Sequence, residues 1–82
     1  MTHEIKIDRQ YYTRVLSREK LFDIRYDDRG YQKGDEVILN EIYSDTKHET
    51  GRKLYAIIGF VCSYQQKEGF VVFSLLNIEV LK

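Results

Sequence analysis

The chain has no proline and no tryptophan, and it has a single cysteine, Cys62. One cysteine excludes an internal disulfide, so the fold is held by burial and hydrogen bonding alone. Its place in the apolar run YAIIGFVC reads as a small buried hydrophobe and not as a nucleophile. The absence of proline leaves every strand-like segment uninterrupted. No apolar run approaches the roughly 20 residues that a membrane-spanning helix needs, and the opening MTHEIKID has no apolar signal-like stretch, so the expected location is cytoplasmic. Net charge is absent too, with 13 basic and 13 acidic residues. Nor do the halves separate by sign, since residues 1–35 hold eight basic and seven acidic side chains and the rest five and six. That excludes a general polyanion-coating surface and leaves anion contacts to local geometry. No Gly-rich phosphate loop, Ser-His-Asp set or Cys-His pair can be assembled, and no internal repeat is visible. His3 and His48 lack partners at a zinc spacing, so no metal and no other cofactor is expected.

What is present is one small domain spanning 1–82, 43% hydrophobic and rich in tyrosine, with seven Tyr and four Phe. Tyrosine buries a ring while keeping its hydroxyl wet, which suits shallow burial or a surface that takes a flat ligand. HEIKI alternates as a half-buried strand, and Asp8 is placed to cap a helix. The helix is predicted over Arg9 to Ser17, with Tyr11, Tyr12, Val15 and Leu16 as its apolar stripe. FDIRY alternates Phe22, Ile24 and Tyr26 against Asp23 and Arg25. DDRGYQKGD reads as a loop, EVILNEIY and RKLYAIIGFVCSY as a hairpin, and FVVFSLL with NIEVL as one or two further strands. Five or six strands and one principal helix predict a mainly β domain, a mostly antiparallel sheet curled into a small barrel whose closure hides its edges.

In order along the chain, His3-Glu4-Ile5-Lys6, the segment Arg18 to Arg25, Asp27-Asp28-Arg29, Gly34-Asp35, Thr50-Gly51-Arg52 and EGFVVFSL resemble the ASCH domains of the PUA-like superfamily, in particular a short bacterial and phage branch. The resemblance implies a PUA-like β-barrel with a cleft beside the helix, lined by the motif residues. It also implies activities that range over RNA binding, nuclease action and hydrolysis of acylated nucleosides, and a shared fold does not choose among them. Arg18 stands where the branch has glycine at the helix end, Leu21 where Thr is frequent, and Asp23 where it has Glu. For hydrolase chemistry the matching catalytic residue is Lys20, Asp23 stands where a catalytic Thr would be, and Glu41 and Glu68 are the candidates for a downstream Glu.

Lys20 reads either as a cleft lysine that binds a phosphate or carbonyl oxygen, or as an exposed lysine after a helix. Asp23 and Arg25 share a strand face and can fix a ligand through the guanidinium fork; otherwise they are a charge pair worth under about 1 kcal/mol. Asp27, Asp28 and Arg29 can shape a cleft loop or simply make a turn. Tyr26 and Tyr31 bracket that loop and can stack on a base, worth about 1–3 kcal/mol each, or pack at the rim or in the core. The expected ligand-binding set is thus Lys20, Asp23, Arg25, Tyr26, Arg29 and Tyr31, with Lys20 and Arg25 facing one cleft. The expected function is an RNA- or nucleotide-binding module. The alternatives are a small amidohydrolase acting on a modified nucleoside and a protein-interaction domain.

Overall fold

A computed structural model describes residues 1–81. The order is β1 (Thr2–Asp8), α1 (Arg9–Leu16), β2 (Phe22–Tyr26), β3 (Glu36–Ile42), β4 (Glu49–Cys62) and β5 (Phe70–Leu81). The strands form one sheet in the order β1-β3-β4-β5-β2. Three of its four pairings are antiparallel, while β1 runs parallel to β3, with Thr2 opposite Glu36 and Asp8 opposite Ile42. A parallel pair needs a crossover, and the chain supplies it by passing through α1, β2 and the 27–35 loop before it returns as β3.

The sheet curls into a half-barrel, and β1 and β2 remain its two edges. The expected closure is therefore incomplete. β2 is only five residues long, and side chains, not a backbone ladder, cross the seam between it and β1. The two segments expected at the C-terminal end are one strand, β5, bent at Asn77, whose φ is 53°. Beyond this bulge the inward positions shift from Val71, Phe73 and Leu75 to Ile78.

α1 begins where Asp8 predicts it, the carboxylate accepting from the Gln10 N–H at 2.9 Å, and it ends within one residue of the expected boundary. Tyr12 and Val15 enter the core with Phe73, Leu39, Leu54 and Ile58, each worth about 1.5–3 kcal/mol on burial. Tyr11 leaves the expected stripe and is 44% exposed. Cys62 is half-buried and not fully enclosed.

On the inner face β3 also carries Glu41, 1% exposed, whose carboxylate takes two guanidinium bonds from Arg52 at 2.8 and 2.7 Å and one from the Thr50 hydroxyl. The Arg52 guanidinium lies 4.8 Å from the Tyr12 ring centroid, so this group ties β3, β4 and α1 together. The arginine beside Glu41 holds its carboxyl below the usual range, against the opposing effect of burial.

Candidate functional site

The site begins where α1 stops. Ser17 and Arg18 return their N–H groups to Thr13 and Val15 carbonyls, and Arg18 adopts φ 68°, the left-handed turn that a glycine ordinarily makes. Its guanidinium then bonds the Leu16 carbonyl and, at 2.8 Å, the Ile78 carbonyl on β5. The turn delivers Lys20 to the start of β2, where its ammonium donates to the Phe22 carbonyl at 2.6 Å and to Asp23 Oδ1 at 3.1 Å. The ammonium also lies 4.8 Å from the Phe22 ring centroid and 5.6 Å from that of Tyr11.

On β2 the alternation is as expected, and the charged face is the inner one. Asp23 is 7% exposed, while Phe22, Ile24 and Tyr26 are 44%, 50% and 59% exposed. Arg25 Nε donates to Asp23 Oδ2 at 2.7 Å, and its Nη2 reaches across the seam to the Lys6 carbonyl on β1. Lys20 and Arg25 thus meet on one carboxylate, and each also covers a carbonyl of an edge strand. Inward-pointing charge of this kind discourages edge pairing as well as serving a site.

Around this cluster opens a cleft of about 870 Å³, walled by β1 at Lys6 to Asp8, by α1 at Gln10, Tyr11 and Arg14, and by the whole of β2 with Phe70. That is within the range of small-molecule sites, about 300–1,000 Å³. Four basic and three acidic residues line it, so its charge is local and nearly balanced. Tyr26 is set at its rim by Phe70, ring to ring at 5.5 Å, and by Gly69, where a Cβ would come within 2.6 Å of the Tyr26 ring.

Of the expected ligand set, Lys20, Asp23, Arg25 and Tyr26 come together. Tyr31 does not offer a stacking face. It is 5% exposed, with its ring closed between His3 at 4.8 Å and Phe73 at 5.0 Å. Arg29 lies outside the cleft and is 3.8 Å from Asp28, and the turn reading holds for this loop because Asp27 Oδ1 accepts from the Gly30 and Tyr31 N–H groups. Asp35 is structural, accepting from His3 at 2.8 Å, and that bond is the main reason its carboxyl is held low. Neither candidate Glu reaches Lys20: Glu41 is engaged by Arg52 and Thr50, and Glu68 is outside the cleft in the exposed loop before β5.

Tyr11, Phe22 and Phe70 are cleft residues that sequence reasoning did not single out. The signal for Tyr11 was its place at the rim of the helix stripe; Phe70 depends on its register opposite Tyr26, which no local pattern reports. Among the described residues no group of His, Cys, Asp and Glu is arranged to hold a metal, and no helix is long and apolar enough to cross a membrane.

Residues 2–75 match the family described as Domain of unknown function (DUF3850). The chain belongs to this family. A curated relative, the "uncharacterized 12.9 kDa protein in GpA 3′ region" of Escherichia phage P2, is 39% identical over 56 residues, which cover 68% of this chain and 50% of the phage protein. The chain thus matches about half the length of that relative. The DUF3850 match runs from β1 into β5 and so takes in every element that builds the cleft.

Proposed function

We propose that this DUF3850 chain is a PUA-like, ASCH-type binding module whose cleft takes a nucleotide or a short single-stranded RNA element. The observation that carries the reading is a local surplus of hydrogen-bond donors. Arg25 has five N–H groups and uses one on Asp23 and one on the Lys6 carbonyl; Lys20 has three and uses one on Phe22 and one on Asp23, so among the described residues four donors have no partner, on two side chains that line the cleft. Both Asp23 oxygens are already engaged. The complement of such a floor is a ligand group rich in acceptors, a phosphate above all. The aromatic side chains of Tyr11, Phe22, Tyr26 and Phe70 suit a flat ring beside it. The near balance of charge suits a short ligand better than a long duplex.

Calorimetric titration with nucleoside monophosphates and short single-stranded RNAs tests this. Replacing Arg25 by Ala should weaken binding by about tenfold or more, and Arg25→Lys should not restore it, because the planar fork is lost. Equal binding by wild type and both variants would refute the assignment.

A second reading rests on Lys20 lying 3.1 Å from Asp23 Oδ1, a lysine–carboxylate pair of the sort hydrolysis of an acylated nucleoside would use. Monitoring turnover of acylated nucleosides in the same samples separates the two. Release of free acid that Lys20→Ala abolishes would favour the enzyme.

A further inference from the structure

The backbone of β2 has an unused edge, and the hydrogen-bond pattern shows which of its groups are free. Leu75 donates to the Leu21 carbonyl at 2.9 Å, and Asp27 donates to the Gly69 carbonyl at 2.8 Å. In an antiparallel ladder the bonded residues alternate, so residues 21, 23, 25 and 27 face β5 while Phe22, Ile24 and Tyr26 turn their N–H and C=O groups toward the cleft. The bond from Lys20 Nζ to the Phe22 carbonyl agrees with this phase. The Tyr26 carbonyl is taken by the Asp28 N–H at 3.0 Å. Among the described residues this leaves the N–H groups of Phe22, Ile24 and Tyr26 and a single acceptor, the Ile24 C=O, which stands beside the Tyr26 N–H on a strand whose residues line the cleft.

We propose that this pair reads the ring edge of the ligand's base, so that Ile24 and Tyr26 determine specificity through their main-chain groups. The inference rests on the nucleotide reading above and deepens it. Every nucleobase presents a ring nitrogen beside an exocyclic amine or carbonyl, which gives an adjacent donor and acceptor. A ligand whose phosphate meets Lys20 and Arg25 brings such an edge to β2. A peptide strand is a poorer occupant. The carbonyls on either side of Ile24 are already taken, and the Arg25 side chain crosses the seam to Lys6, so a single acceptor is open where a ladder needs several. Burying the pair against a ring that lacks a donor would leave the Ile24 carbonyl unsatisfied, and that is the source of discrimination.

The test uses isotope-labelled full chain and amide proton–nitrogen correlation spectra. The ligands are adenosine monophosphate, uridine monophosphate, adenosine monophosphate dimethylated on its exocyclic amine, and uridine monophosphate methylated on its ring N–H. The Tyr26 amide should shift downfield with the parent nucleotides, and the methylated forms should bind about fivefold more weakly or worse. If parent and methylated nucleotides bind equally, the Tyr26 amide stays in place and Arg25→Ala still weakens binding, the edge inference is wrong and the nucleotide reading stands. If none of the four binds, both fall.

Discussion

Arg18 holds a φ of 68°, which costs a non-glycine residue about 1–2 kcal/mol, yet its guanidinium recovers a bond to the Ile78 carbonyl at 2.8 Å. The two effects are of similar size. Arg18→Gly should therefore leave stability within about 1 kcal/mol of wild type, whereas Arg18→Ala keeps the strain, loses the bond and should cost about 1–2 kcal/mol, as urea unfolding would show. Asp23 is the more exacting residue. Its carboxylate is 7% exposed and holds both Lys20 and Arg25, so Asp23→Ala leaves two cations without a common partner and should destabilise by about 1–3 kcal/mol. Equal midpoints for wild type and Asp23→Ala would place the carboxylate in solvent and contradict the site. The sequence carried Asp23 and Arg25 openly, as a pair on one strand face that spacing alone reports, whereas at Arg18 it left open whether the turn is the left-handed one a glycine makes or one of another shape. It did not carry the fate of Tyr31, since an aromatic beside a charged loop reads alike whether it ends at the rim or between His3 and Phe73.

The elements were legible because period-two and helical spacings are local, and their pairing was not. Alternation in FDIRY separates Phe22, Ile24 and Tyr26 from Asp23 and Arg25 but cannot say which set turns inward, and here the charged set does because β2 is an edge at a seam. The parallel alliance of β1 with β3 and the bulge at Asn77 depend likewise on partners far along the chain. Two glycines show how tightly the resulting register is held. A Cβ at Gly59 on β4 would come within 2.4 Å of Ser74 Oγ on β5, so Gly59→Ala should cost about 1–3 kcal/mol through overpacking. At Gly69, φ is 84° and the added carbon would meet the Tyr26 ring at 2.6 Å. Gly69→Ala should both destabilise and displace Tyr26, and thus weaken ligand binding more than Gly59→Ala does at matched stability. Identical affinity in the two variants would detach Tyr26 from the site.

For the molecule as a whole, with no disulfide and no net charge, the pH limits of stability follow from a few placed groups. On the acid side, Glu41 is held below its ordinary value of 4.5 chiefly by Arg52, Glu36 below the same value by the Tyr55 hydroxyl, and Asp35 below 3.8 by His3. A carboxyl whose folded pKa is depressed stabilises the fold fully above its unfolded pKa, and the contribution is lost as pH falls through the folded one. On the alkaline side, burial raises the hydroxyls of Tyr12 and Tyr31 above 10.0. A raised phenol works in the opposite sense: its contribution is complete below the unfolded pKa and disappears as pH climbs toward the folded one. Stability should therefore be level from about pH 5 to 9 and fall on both flanks. Glu41 dominates the acid limb on structural grounds, because it is the 1%-exposed carboxylate that joins α1, β3 and β4 through Arg52. Glu41→Gln removes the titrating group and leaves Arg52 without its ion pair. Its unfolding midpoint should be lower than that of wild type near pH 7, and the gap should narrow as the pH is taken below 4.5, where the unfolded carboxyl begins to bind a proton, and close as the pH falls through the lowered pKa of the folded one. A gap of constant width down to the lowest measurable pH would mean that the Glu41 carboxyl titrates alike in the folded and unfolded chain, and the clamp between helix and sheet would need another account.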